Sequence, residues 1–283
     1  MNLMPPSATS KRPQRYRVAV LGAGLSGICM GAQLKRRGIE NFVIIEKADA
    51  VGGTWRENTY PGIACDVPSH VYSYSFELNP DWSHSYGTGQ EIWEYCERCV
   101  DKYGLREHLR LNSEVISAQF DGELWQIRTK GGQAFSADVV VSGLGGLHLP
   151  KHADLPGSET FAGTLFHTAE WDHEHDLKGR RVAIIGTGAS AAQVLPGIAD
   201  DVAEVTVFQR SAAWVLPRFA REIAPERRAL FRRHPWVMRL YRWYVWLLMD
   251  VIGVLSLRRG GLLSQRLRRI CLRHLDRSVK DPE

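Results

Sequence analysis

The chain has 283 residues, 44% hydrophobic and 24% charged, and its 36 basic and 31 acidic residues leave a net charge of +5. A chain of this size accommodates about two domains with a sizeable core. Its ordinary composition excludes a disordered tail, a collagen and a disulfide-stapled miniprotein, and so mild a basic excess does not by itself imply a nucleic-acid partner.

In chain order, the first 15 residues (MNLMPPSATSKRPQR) are polar, prolyl and basic, with no apolar stretch behind them. They read as a flexible leader and not as an export signal. Residues 16–21 (YRVAVL) form an apolar run that ends in Gly22-Ala-Gly24-Leu-Ser-Gly27. A helix-like stretch follows, Ile28 to Arg37, closed by Gly38 as a helix C-cap, and then a second apolar run, Phe42 to Ile45. Strand, glycine turn, helix and strand make a βαβ crossover in a parallel sheet. The first glycine permits the tight turn, the second lets the backbone approach a pyrophosphate, and the third allows close helix–strand packing. Glu46 stands 24 residues after Gly22, at the end of the second strand. A carboxylate there accepts hydrogen bonds from a ribose 2′-hydroxyl, so this unit is expected to bind FAD or NAD.

Next come Val51-Gly-Gly-Thr54-Trp55, Asn58-Thr-Tyr-Pro-Gly62 and Cys65-Asp66. Asp66, between Gly62 and Pro68, sits in a loop, where sites concentrate; the bland reading of it is an Asx-turn residue. Cys96 and Cys99 fall in a helix-like stretch with no second pair nearby, too few ligands for zinc, and read as ordinary helix residues. With Cys29, Cys65 and Cys271 they make an odd, scattered set of five. That set suits a reducing, cytoplasmic compartment better than a disulfide framework.

The unit recurs. Residues 181–185 (RVAII) lead into Gly186-Thr-Gly188-Ala189-Ser190-Ala191, and Val205 to Phe208 is the second apolar run. Counting 24 from Gly186 reaches Arg210. An arginine where the first unit has an acid would clamp a 2′-phosphate, which predicts NADP for the second unit. Two dinucleotides in one chain imply electron flow between them, most economically an FAD reduced by NADPH.

The last stretch, Phe219 to Leu275, is helical in tone, with arginine pairs at 227–228, 232–233, 258–259 and 268–269. Trp236, Leu240, Trp243, Leu247, Val251 and Val254 recur at three- and four-residue steps and predict one apolar helix face. The run Trp243 to Leu257 is 15 residues long and carries Asp250, short for a spanning helix. It reads as a buried or interfacial helix, either an inserted helical subdomain or a peripheral membrane contact through residues 236–257. Basic charge without a motif gives no nucleic-acid reading.

Three stretches narrow the class: residues 51–55 with 58–62 and Cys65-Asp66, then 139–150 running on to Leu155-Pro-Gly157, and a third directly after it. Phe161, Gly163, His167, Trp171 and Asp172 match F-x-G-x-x-x-H-x-x-x-W-[PD] at every fixed position, between the two glycine turns. On these motifs the chain resembles the N-terminal part of type I Baeyer–Villiger monooxygenases, within the flavin-containing monooxygenase group. The resemblance implies an α/β chain of two Rossmann-like domains, for FAD and then NADP, with a C-terminal helical insertion. Its boundaries are a leader at 1–15, an FAD-binding part at 16–157, the fingerprint linker at 158–175, an NADP-binding part at 176–218 and the insertion at 219–283. It implies oxygen insertion next to a ketone carbonyl, with NADPH and O2, through a C4a-peroxyflavin, giving an ester or lactone.

By matching positions, Gly22, Gly24, Gly27 and Glu46 would hold FAD, Thr54, Trp55, Asp66 and Tyr72 would lie around the flavin, and Val115 would contact its adenine end. Asp66 would support an active-site arginine that matches no position of this chain. Gly186, Gly188, Ala189, Ser190, Arg210 and Ser211 would hold NADP, and no metal is implied. The fingerprint residues would couple domains during the cofactor cycle. Members of the family run to about 500 residues, which implies that this chain is truncated and does not oxygenate by itself. The alternatives are an N- or S-oxygenating flavin monooxygenase, a dinucleotide-binding remnant without oxygenase activity, and a flavin reductase that passes electrons to O2.

Overall fold

The computed structural model describes residues 13–211, 215–218, 220–256 and 261–279. The expectations placed on residues 1–12, on Phe219, on Leu257, on the Arg258-Arg259 pair and on residues 280–283 lie outside these. The chain is α/β and divides into two units. One comprises the described residues up to Glu57 together with Trp93–Leu149, the other Asn58–Ile92 together with the described residues from Pro150 onward.

The first unit is built on β1 (Gln14–Leu21), α1 (Leu25–Arg36) and β2 (Phe42–Ile45), followed by the short α2 (Thr54–Glu57), the Trp93–Lys102 portion of α3 (Gly89–Lys102) and β3 (Leu109–Arg110). A meander of β4 (Val115–Phe120), β5 (Trp125–Thr129) and β6 (Ala134–Ser142) completes it. The six strands lie in the order β3-β2-β1-β6-β5-β4. The pairs from β3 to β6 are parallel and those from β6 to β4 antiparallel. Every residue of β2 is buried, as a strand covered on both faces requires. Tyr16, Ala19, Leu21, Val43, Ile45, Ile127, Phe135 and Ala137 form the core beneath the sheet.

α1 begins at Leu25, three residues earlier than its sequence suggested, because the glycine turn feeds directly into it. It ends as expected: Gly38, at φ +69°, donates its N–H to Lys35 O at 2.9 Å.

The second unit repeats the motif with β7 (Arg181–Ile185), α4 (Ala189–Ile198) and β8 (Glu204–Phe208), a parallel pair in register Ile185 to Phe208. Tyr60, Val194 and Ile198 are its buried centre, with Trp171, Val182 and Ile184 packed against them. Three helices follow, α5 (Pro225–Arg233), α6 (Pro235–Ser256) and α7 (Leu262–Ser278). Each buries a single residue, Phe231, Met238 and Cys271 respectively. The apolar face expected on α6 is present, but Trp236, Leu240, Trp243, Leu247, Val251 and Val254 all stand exposed in place of being buried. Periodicity locates an apolar face and not its covering. Among the described residues no helix is long and apolar enough to cross a membrane.

Candidate functional site: two glycine turns

The first turn lies at the C-terminal end of β1, the place where the parallel order runs outward on both sides, to β2 and to β6. Ligands of open α/β sheets bind at such a switch point. Gly22 has φ +96°, a left-handed conformation that glycine adopts without cost. Its N–H donates to Ile45 O at 2.7 Å and so fixes the turn to the end of β2. A Cβ on Gly22 would lie 2.7 Å from Gly143 O, and one on Gly27 only 1.9 Å from Gly22 O. Gly143, which donates to Leu21 O at 2.8 Å, would bring a Cβ within 3.2 Å of Gly27 N. Three glycines thus let β1, α1 and the end of β6 meet backbone to backbone.

Gly24 differs. A Cβ there would find its nearest neighbour, Gly53 Cα, at 3.7 Å, an ordinary contact. Gly24 is the N-cap of α1, and no side chain caps that helix. The turn therefore fits a dinucleotide diphosphate, with an open approach to the backbone and the positive end of a helix behind it.

Glu46 is 7% exposed and takes two backbone donors, Ala23 N–H at 2.6 Å on Oε2 and Ala48 N–H at 2.9 Å on Oε1. Each carboxylate oxygen keeps further acceptor capacity, and the acid is held at the mouth of the turn, where a ribose hydroxyl belongs. Ser113 N–H donates to Glu46 O at 2.8 Å, which brings the segment leading into Val115 alongside. Val115 opens β4 and packs on the core that contains Val43 and Ile45.

Thr54 and Trp55 start α2, behind the Val51-Gly52-Gly53 loop. Gly52 N–H donates to Ala23 O at 3.0 Å, and Trp93 Nε1 holds Val51 O at 3.0 Å. Gly22, Gly24, Gly27, Glu46, Thr54, Trp55 and Val115 all belong to the first unit. Asp66 and Tyr72 belong to the second unit.

The second turn reproduces the first in its backbone. Gly186 has φ +107°, and its N–H donates to Phe208 O at 3.0 Å, the counterpart of the Gly22–Ile45 bond. Gly188 is the N-cap of α4, again without a side-chain cap. A Cβ built on Gly186 or Gly188 meets nothing within 4 Å. Ala189 and Ser190 form the first turn of α4, and Arg210 and Ser211 follow the end of β8. Open space before an uncapped helix, with an exposed arginine beyond the second strand, suits a phosphorylated dinucleotide.

The fingerprint residues serve packing and turns. Trp171 lies in the core of Tyr60, Val194 and Ile198. His167 caps the 3-10 turn Thr168–Glu170, its Nδ1 accepting Ala169 N–H at 3.1 Å. Asp172 accepts Glu174 N–H at 3.0 Å. Phe161 is exposed, and its ring lies where a Cβ on Gly163 would be, 2.6 Å away. Asp66 follows a backbone held on both sides: Cys65 donates its N–H to Gly87 O at 2.8 Å, and Cys65 O accepts Arg218 Nη2 at 3.2 Å.

Sequence reasoning noted the stretches 51–55 and 139–150 but gave Gly53 and Gly143 no role of their own. The signal was present in Ser142-Gly-Leu-Gly-Gly146 and in the paired Gly52-Gly53. Burial pushes the Cys65 thiol up to about 11 and that of Cys96 up to about 12, which disfavours the reactive thiolate at both. Glu40, Glu107 and His108 gather within metal-ligand reach of one another, but Lys35 Nζ lies 2.6 and 3.3 Å from the two carboxylates and supplies the cation itself.

Residues 19–233 match the sequence model of the family described as pyridine nucleotide-disulphide oxidoreductase. The chain is 43% identical over 277 residues to a Baeyer-Villiger monooxygenase of Pseudomonas aeruginosa, an alignment covering 97% of this chain and 52% of that protein. It is 45% identical over 271 residues to a Baeyer-Villiger monooxygenase of Streptomyces coelicolor, covering 95% and 52%. Among solved structures, cyclohexanone monooxygenase with bound epsilon-caprolactone superposes with a TM-score of 0.73 at 37% identity, over 78% of this chain and 44% of that one. The cyclohexanone monooxygenase of Rhodococcus sp. Phi1 bound to NADP+ gives 0.72 at 36% identity, over 78% and 43%. The chain spans about half the length of the curated relatives it matches.

Proposed function

The chain belongs to the pyridine nucleotide-disulphide oxidoreductase family, and from that premise we propose that it is the dinucleotide-binding part of an FAD- and NADPH-dependent Baeyer–Villiger monooxygenase. The observation that carries this reading is the pair of glycine turns with unlike second-strand residues, Glu46 after one and Arg210 after the other. Bound FAD would accept hydride from NADPH and activate O2 for insertion next to a ketone carbonyl.

The chain's own residues do the holding. The α1 N-terminus and the open backbone at Gly24 receive the FAD diphosphate, and Glu46 accepts the ribose hydroxyls. Gly188, Ala189 and Ser190 receive the NADP diphosphate, while Arg210 with Ser211 selects the 2′-phosphate. Thr54, Trp55, Asp66, Tyr72 and Val115 are assigned to the flavin and its adenine end. The assignment gives 16–157 to the FAD part, 158–175 to the linker, 176–218 to the NADP part and 219–283 to the helical insertion.

The substrate class is a small ketone. The five cysteines are free, which supports a cytoplasmic, reducing setting. A peripheral membrane contact through α6 draws support from its exposed Trp236, Trp243 and Trp246 and from the arginines of α5 and α7; co-flotation with anionic vesicles tests it.

The visible spectrum of the purified chain, with and without added FAD, tests the core of the proposal. A stoichiometric flavin band that anaerobic NADPH bleaches is the expected result. Absence of flavin binding after reconstitution would refute the assignment of the first turn. Incubating the protein with FAD, NADPH and either a ketone or a sulfide separates ester formation from the rival S-oxygenation.

A further inference from the structure

Gln193 lies on α4, one turn beyond its N-terminus, and its side-chain amide makes three hydrogen bonds to one loop. Oε1 accepts Ala64 N–H at 3.1 Å and Tyr60 O–H at 3.2 Å, while Nε2 donates to Ala64 O at 2.9 Å. The amide thus engages both backbone groups of Ala64, as a neighbouring strand would. The helix backbone is just as close: a Cβ on Gly62 would lie 2.5 Å from Gln193 O, and one on Gly197 2.9 Å from Pro61. Tyr60 also packs on Val194 and Ile198. That apolar contact tolerates sliding, because burial is non-directional. The paired amide bonds do not, and they fix the register of the loop on the helix.

Asp66 stands two residues beyond Ala64. On the other side, Ala189 and Ser190 stand four and three residues before Gln193, a spacing that puts them on its face of the helix. We infer that Gln193 is a positioning residue: it ties the Asp66 loop to the helix that receives NADP, so that occupancy of the second glycine turn is felt at Asp66. This inference rests on the reading of α4 as the NADP helix.

The test is hydrogen–deuterium exchange on the full chain supplied with FAD, with and without NADP+, alongside direct measurement of NADP+ affinity by equilibrium dialysis. In the wild type, NADP+ slows exchange of the Ile63–Asp66 amides several-fold. In Gln193→Leu, basal exchange at Ala64 rises about tenfold, the response to NADP+ in this loop disappears, and NADP+ affinity changes by less than about threefold. Gln193→Glu keeps the acceptor for Ala64 N–H and Tyr60 but loses the donor to Ala64 O. It shows an intermediate response and provides the second variant should Gln193→Leu fail to fold. NADP+ binding that slows the loop equally in wild type and variants, or a wild-type loop indifferent to bound NADP+, overturns the inference. Absence of NADP+ binding by the wild type overturns the NADP reading itself and the inference with it.

Discussion

Gly27 and Gly24 lie three residues apart in the same turn and face opposite constraints. A Cβ on Gly27 collides with Gly22 O, which is backbone and cannot rotate away, whereas a Cβ on Gly24 meets only ordinary contact. Gly27→Ala is therefore expected to cost several kcal/mol and to lower the melting temperature by more than 10 °C, with loss of flavin as a consequence of unfolding. Gly24→Ala should leave the melting temperature of the flavin-free chain nearly unchanged while weakening FAD, because the added methyl group occupies the space a diphosphate needs. Thermal melts paired with flavin retention distinguish the two. Arg210→Ala bears on selectivity alone. Loss of the guanidinium should weaken NADP+ by about tenfold or more and leave NAD+ nearly unaffected, read as the ratio of the two dissociation constants. The glycines and the strand-end acid were legible in the sequence because a tight turn and a strand end impose local requirements on neighbouring residues. The packing role of Gly143 and the bonds of Gln193 were not, since each acts through contacts with segments more than a hundred residues away.

At the scale of elements, α5 and α6 close over a loop by way of one histidine. The His70 ring stands edge-on to Phe231 of α5 at 5.1 Å and to Tyr241 of α6 at 5.2 Å between centroids. Burial, and secondarily the charge of Arg227, push it down from 6.5 to about 4. The folded state resists protonation there, so the unfolded chain binds more protons between these values. The contribution of neutral His70 is complete above about pH 6.5 and is lost as pH falls toward 4, at most about 3 kcal/mol. Urea midpoints taken at pH 7.5, 6 and 5 should fall more steeply for the wild type than for His70→Phe, which keeps the aromatic contacts without the titrating group. α6 could be read from its periodicity, but its exposure could not. Three- and four-residue spacing marks where apolar side chains line up, and what lies opposite depends on the rest of the fold.

Across the whole molecule, the two βαβ units share a plan and differ in enclosure. β2 has no residue that is not buried, while β8 has none that is. Ile185 and Phe208, paired at the ends of β7 and β8, are 53% and 57% exposed. The architecture was legible because a repeated motif fixes the direction of four strands, whereas the antiparallel meander of β4, β5 and β6 carried no comparable signature in its glycines. The same contrast governs how each turn receives a side chain. Gly22, Gly27 and Gly143 interlock through backbone atoms, but Gly188 faces open space and the third position of its turn is already Ala191. Mutational robustness is therefore distributed unevenly. In a saturation library sorted for folded protein, the first turn should reject nearly every replacement at positions 22 and 27 and tolerate few at 143, while positions 188 and 191 accept small residues. If the second turn receives a coenzyme as proposed, its residues can change without endangering the scaffold, whereas those of the first turn are constrained by the fold itself.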